Sequence, residues 1–167
     1  MKSLELKWGL LIGGANLLWL YLSYYLGMHT NGIFWIQVMS GVNILITLVG
    51  FVLAYRELGR TEPGYTFAEG VKTGGLIAVI TALIAIVMQF GYFKIVHPDF
   101  TDYMVEESRK WAEGQDQTPE EVEGFMEMAR RNFSFHSYLV QSAVGALFFG
   151  CVFSILISTI HYIRNRR

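Results

Sequence analysis

A chain of 167 residues that is 53% apolar and 15% aromatic, with a formal net charge of −1, presents no net basic field for nucleic acid. Its single cysteine, Cys151, excludes an intrachain disulfide framework and reads as a small apolar packing residue inside a greasy run. Charge is gathered into a few polar segments, and four long apolar stretches lie between them.

The first apolar stretch covers about residues 8–26 and follows Lys2 and Lys7. It is longer than the apolar part of a secretory signal, and Gly27-Met28-His29-Thr30 offers no small-residue cleavage site, so a retained membrane span is expected. Residues 27–32 are few and uncharged, which forces an antiparallel hairpin into a second span over 33–55. Trp35 and Tyr55 stand near its ends, where amphipathic rings favour the headgroup level.

Residues 56–73 form a charged loop with a turn at Glu62-Pro63-Gly64. Thr66-Phe67-Ala68-Glu69 then fits a capping box, so a helix begins near Phe67 and carries a third span over 67–93. Its last twenty residues, GGLIAVITALIAIVMQFGYF, hold no charge. At about 1.5 Å per residue they cross a hydrocarbon core of ~30 Å.

The longest polar region, residues 94–134, predicts two short amphipathic helices. One starts at His97-Pro98-Asp99 and sets Phe100, Tyr103, Met104 and Trp111 on a single face, with Glu107 the polar exception. Gly114-Gln115-Asp116-Gln117 ends it. The other opens with Thr118 as N-cap, Pro119 at the first helical position and Glu121 closing a second capping box. Its apolar face is Val122, Phe125, Met126, Ala129 and Phe133. A helical hairpin over about 97–134 follows, with Phe100, Trp111, Phe125 and Met126 expected to face a partner. A fourth span is expected over 138–160, before Arg164, Arg166 and Arg167.

Lysine and arginine gather at Lys2, Lys7, Arg56, Arg60, Lys72 and the three terminal arginines, which places both termini in the cytoplasm and the hairpin outside. The expected fold is therefore all-α: one integral membrane domain, a four-helix bundle with an extracytoplasmic helical hairpin between the third and fourth spans.

Gly70, Gly74, Ala78 and Ala82 recur at intervals of four, as do Ser142, Ala146, Gly150, Ser154 and Ser158. Such stripes let helices approach closely in lipid, so the third and fourth spans are expected to pack together, or one stripe to meet a second copy of the chain. Lys7-x-Gly9-x-Leu11-Ile12 echoes Lys72-x-Gly74-x-Leu76-Ile77, as a parallel repeat of two hairpins would.

No acid or base lies in the middle of a span, where proton pumps and intramembrane catalysts place them. Nucleotide, nucleophile-elbow and CxxC motifs are missing too, so no catalytic residue, no cofactor and no enzyme activity is expected. The buried polar residues are Asn16, Gln37, Asn43, Gln89 and Gln141. Asn16 and Asn43 fall on hairpin partners and can bond to each other, or these amides can line a solute path. His29, His97 and His136 gather on the outer side near Asp99 and Asp102. Of these, His97, His136 and Asp99 come nearest to a metal site, but no HxxxH or HxxEH spacing occurs and no metal is expected. Two functions follow: a non-catalytic structural or accessory subunit that binds other envelope proteins, or a small oligomeric transporter or channel for a small or lipid-like solute.

Three motifs occur in order: Phe67-x-Glu69-Gly70-x-Lys72-x-Gly74, then Tyr92-Phe93-x-x-x-x-Pro98-Asp99-Phe100, then Gly114-x-x-x-Thr118-Pro119-Glu120-Glu121. Together, across essentially the whole chain, they resemble the uncharacterised bacterial membrane proteins catalogued as domain-of-unknown-function family 4199. The resemblance implies a four-span inner-membrane protein, typical of the Bacteroidota, with an external helical insertion before the last span. It implies no reaction and no catalytic residues.

Overall fold

The computed structural model describes residues 3–115 and 117–165. Lys2, Asp116, Arg166 and Arg167, which enter the charge pattern and the hairpin break above, lie outside the described residues. Within them all regular structure is helical: α1 (Ser3–Tyr25), α2 (Ile33–Thr61), α3 (Phe67–Gly91), α4 (Phe100–Glu113), α5 (Pro119–Asn132) and α6 (Phe135–Asn165).

Local chemistry accounts for most boundaries. Thr66 caps α3 by accepting from the Glu69 amide at 3.3 Å, while the Glu69 carboxylate accepts from the Thr66 amide at 2.8 Å. Thr118 and Glu121 repeat the arrangement at α5, with Pro119 in the first turn. α4 starts where expected, yet Asp99 makes no side-chain cap bond. α6 begins at Phe135, ahead of the apolar run, because the Ser134 hydroxyl accepts from the Ser137 amide at 3.3 Å. Beyond α3 the chain widens into a π-helical turn, Tyr92–Val96, closed by the His97 amide donating to the Tyr92 carbonyl at 2.8 Å. The tight link between α1 and α2 needs Gly27 and Gly32, whose φ values of 73° and 93° suit glycine alone.

Four long helices pack side by side in the order α1, α2, α6, α3. α3 lies along α6 and α1, α1 along α2, and α2 meets α6 over a shorter stretch. The antiparallel α3–α6 seam sets Gly70 against Ser158, Gly74 against Ser154 and Ala78 against Gly150, with no room for a Cβ at any of the three glycines. Toward the hairpin from Gly150 the α6 stripe leaves this seam, and Ser142 and Ala146 line a cavity instead. Tyr55 is turned inward rather than toward the headgroups: it is 4% exposed and its hydroxyl donates to the Gly70 carbonyl at 2.6 Å. Cys151 faces outward, not into the packing. The repeat echo is not carried into the packing either. A two-fold pair of hairpins would set α1 and α3 on a diagonal, but they are parallel neighbours, with Gly9 and Gly13 facing Ile80 and Ile84.

Two apolar cores result. The one near the chain termini gathers Ile12, Phe51, Tyr55, Leu58, Ile77 and Phe153. The other, toward the hairpin, gathers Leu20, Ile36, Met88, Tyr92, Phe93, Phe100 and Met104. α4 and α5 fold on each other, Trp111 edge-on to Phe125 at 5.6 Å, and Tyr103 ties them to the body by accepting from the Gly32 amide at 2.8 Å.

Ile33–Thr61, Phe67–Val96 and Phe135–Arg164 are each long and apolar enough to cross a membrane. Their outward faces bear large apolar groups such as Leu83, Val87, Phe148 and Ile160, over half exposed. So much contiguous apolar surface suits lipid, not water, and the protein is membrane-embedded.

Candidate functional site: a polar cavity between the two cores

Between the cores lies a cavity of about 290 Å³, to which all four long helices contribute. α2 presents Ser40, Asn43, Ile44 and Thr47, a single helical face at steps of three and four. Tyr138, Gln141, Ser142, Gly145 and Phe149 do the same on α6. The floor is Asn16 from α1 with Thr81, Ala85 and Gln89 from α3. Asn16, Asn43, Gln89 and Gln141 thus surround one space. Gln37 stays outside it and is exposed. Ser40 and Gln141 are exposed lining residues and mark the mouth, between α2 and α6.

Asn16 and Asn43 do not bond to each other. The register that seats Gly50 over Ile12 brings Thr47 opposite Asn16 and carries Asn43 one turn further out. The Asn16 amide donates to the Thr47 hydroxyl at 3.0 Å, and that hydroxyl donates to the Asn43 carbonyl at 2.9 Å. Since the Thr47 proton is committed, its oxygen can only accept, which fixes the Asn16 amide orientation. The side-chain oxygens of Asn16, Asn43 and Gln89 are buried without a partner among the described residues. Each such group costs about 1–3 kcal/mol when left unmet in a dry interior. Gln141 donates to the Asn132 carbonyl at 2.9 Å, tying α6 to the end of α5. The space is large enough for several waters or one small polar solute, and the lining supplies donors and acceptors without a fixed charge.

Toward the hairpin, Tyr138 of the lining joins Tyr92, Phe93 and Phe100 in an aromatic group whose rings meet edge-on or tilted. Behind them runs a buried hydrogen-bond chain that sequence reasoning missed. Ser23 donates to the Leu20 carbonyl at 2.8 Å and lies 2.9 Å from His29 Nε2, while His29 Nδ1 bonds the Tyr92 hydroxyl. With the Ser23 proton on Leu20, His29 must donate from Nε2 and accept at Nδ1 from Tyr92. No base then faces Ser23, so the chain ties α1, the 27–32 link and the π-helical turn after α3 rather than activating a nucleophile. Burial, then the neighbouring His97, holds the His29 pKa down at about 4.

His97 is caged by Tyr24, Tyr92, Phe100 and Tyr103, and burial lowers its pKa against the opposing pull of Asp99. His136 is exposed on α6. His97, His136 and Asp99 belong to no cluster of three or more ligating side chains among the described residues. On the hairpin, Phe100 is 2% exposed and packs into the core nearest the hairpin, so it is not available to a partner. Phe125 and Met126 are half-buried, while Trp111 is exposed. Glu5 is a further buried group, at the start of α1, with Thr73 donating to one oxygen at 3.4 Å and the other oxygen without a partner among the described residues.

Residues 7–161 match the model of a family described as protein of unknown function (DUF4199). Neither a curated protein nor a solved structure matches the chain.

Proposed function

The chain belongs to the DUF4199 family of proteins of unknown function, and we propose that it is a four-span protein of a bacterial inner membrane, binding a small uncharged polar solute between its spans as a transporter or channel. One observation carries this reading: three amide oxygens from three helices find no partner among the described residues around one cavity, between two close-packed apolar cores. A fixed charge is absent from the described lining, so the fitting solute is neutral and able both to donate and to accept.

The fourth span is supported by the outer face of α1, where Leu10, Leu11, Leu18 and Leu22 stand half or more exposed. Lys7, Arg56, Arg60, Lys72 and Arg164 at one end favour cytoplasmic termini, with the acid-rich hairpin outside. The lining comes from a single chain, so solute binding needs no second copy. The function is non-enzymatic in this reading.

Proteoliposomes bearing the protein should reswell after an osmotic step of glycerol or urea faster than empty ones, and Gln89→Leu should return the rate to the empty level. Equal rates with and without protein for both solutes would refute transport. Unchanged flux in Q89L would remove the cavity as the route.

A second reading is an accessory subunit that meets another envelope protein outside. It is favoured by Trp111 and Met128, exposed at 51% and 58% on the hairpin. Pull-down in mild detergent should recover a stoichiometric partner that Trp111→Glu abolishes; recovery of the protein alone counts against it.

A further inference from the structure

A second hollow, sharing no lining residue with the first, runs along another face of α1. Trp8, Leu11 and Ala15 form one wall and Ile46, Val49 and Leu53 the other of an open groove of about 480 Å³ with almost no polar surface. Its floor exists because Gly50 has no side chain and Ile12 seats against it. From Leu45 to Leu53 the α2 wall rises about 12 Å, which fits within one leaflet of a hydrocarbon core of ~30 Å.

Charge marks one end of this groove. The α2 positions Ile46, Val49 and Leu53 continue at steps of three and four to Arg56 and Arg60, on the same helical face. Glu57, beside them, is taken by Lys7 at 2.7 Å and by the Trp8 indole at 3.0 Å. Arg56 and Arg60 form no ion pair among the described residues. Two uncompensated guanidiniums, each able to fork onto a phosphate, thus stand at the headgroup end of a chain-sized apolar slot.

We propose that this groove binds one anionic phospholipid, its acyl chain between α1 and α2 and its phosphate held by Arg56 and Arg60. A zwitterionic lipid fills the slot equally well but leaves excess positive charge unmet, so the site discriminates by headgroup charge. The inference rests on α1 and α2 both lying in the bilayer, and on nothing about the polar cavity.

The test is native mass spectrometry of the protein released from nanodiscs of equal phosphatidylglycerol and phosphatidylcholine, each variant first shown to melt like wild type. Wild type should retain one phosphatidylglycerol in preference to phosphatidylcholine. R56Q/R60Q should reduce that preference roughly thirtyfold, taking ~1 kcal/mol for each cation at the surface, and R56K/R60K should keep most of it. Val49→Trp, which fills an exposed part of the groove, should lose both lipids. Equal retention of the two lipids by wild type would overturn the proposal, as would a preference surviving in R56Q/R60Q. Undiminished retention in V49W, or displacement of the lipid by glycerol phosphate alone, would overturn the groove as the seat of the chain. None of these results bears on solute flux, so this site and the cavity stand or fall separately.

Discussion

Glycine does opposite work at different places in this chain. A Cβ at Gly74 meets Ser154 and the Tyr55 hydroxyl, whereas one at Gly124, on the exposed side of α5, meets nothing within 4 Å. Gly74→Ala should therefore force α3 and α6 apart and cost about 1–3 kcal/mol, as overpacking does. Gly124→Ala should stabilise α5 by about 0.5–1 kcal/mol through helix propensity. Thermal melts in one detergent separate the two signs. His29 supplies a pH dependence at the same scale. Its folded pKa, about 4, lies below its ordinary value, so the unfolded chain takes up the proton first. Stability is then intact above about pH 6.5 and falls as pH drops toward 4. His97 is lowered too and adds to the fall. Melting followed from neutral to acid pH should show this loss, with a shallower slope in His29→Gln; an unchanged slope would mean His29 is not the group responsible.

Single elements were the easiest to read because their limits are local. Both capping boxes bracket helices that form where the spacing predicts, and Thr118→Ala should loosen the first turn of α5 by about 1 kcal/mol. Amide exchange there should quicken about fivefold while the long helices stay unchanged. Two limits carry no such paired signal. α6 starts early because Ser134 caps it, and the π-helical turn after α3 has no compositional mark. The amides of Asn16, Asn43, Gln89 and Gln141 are visible as polar residues in apolar runs. A shared lining is one of the two roles their positions allow, and the register set by Gly50 on Ile12 and Gly74 on Ser154 brings it about in place of Asn16–Asn43 pairing. The Ser23–His29–Tyr92 chain was out of reach, since Tyr92 lies 63 residues beyond His29.

At the scale of the whole molecule, the distribution of charge sets the expected orientation. In a Cys151→Ser background, a cysteine at Gln115 should react with an impermeant maleimide in intact cells, and one at Gly64 only after lysis. An epitope ahead of the first residue should be protease-sensitive only in lysed cells if α1 crosses the bilayer. The reverse pattern at 115 and 64 would invert the topology, and an epitope cleaved in intact cells would take α1 out of the membrane. What the fold does across its thickness follows from the placement of its two cores. They grip the four helices at either end, and the stretch between them combines the close approach of Gly13 to Ile84 with a hollow. The molecule therefore has a soft waist. Under strain from a thinning bilayer it yields at the level of Asn43 and Gln89, where deuterium should enter the backbone sooner than in either grip.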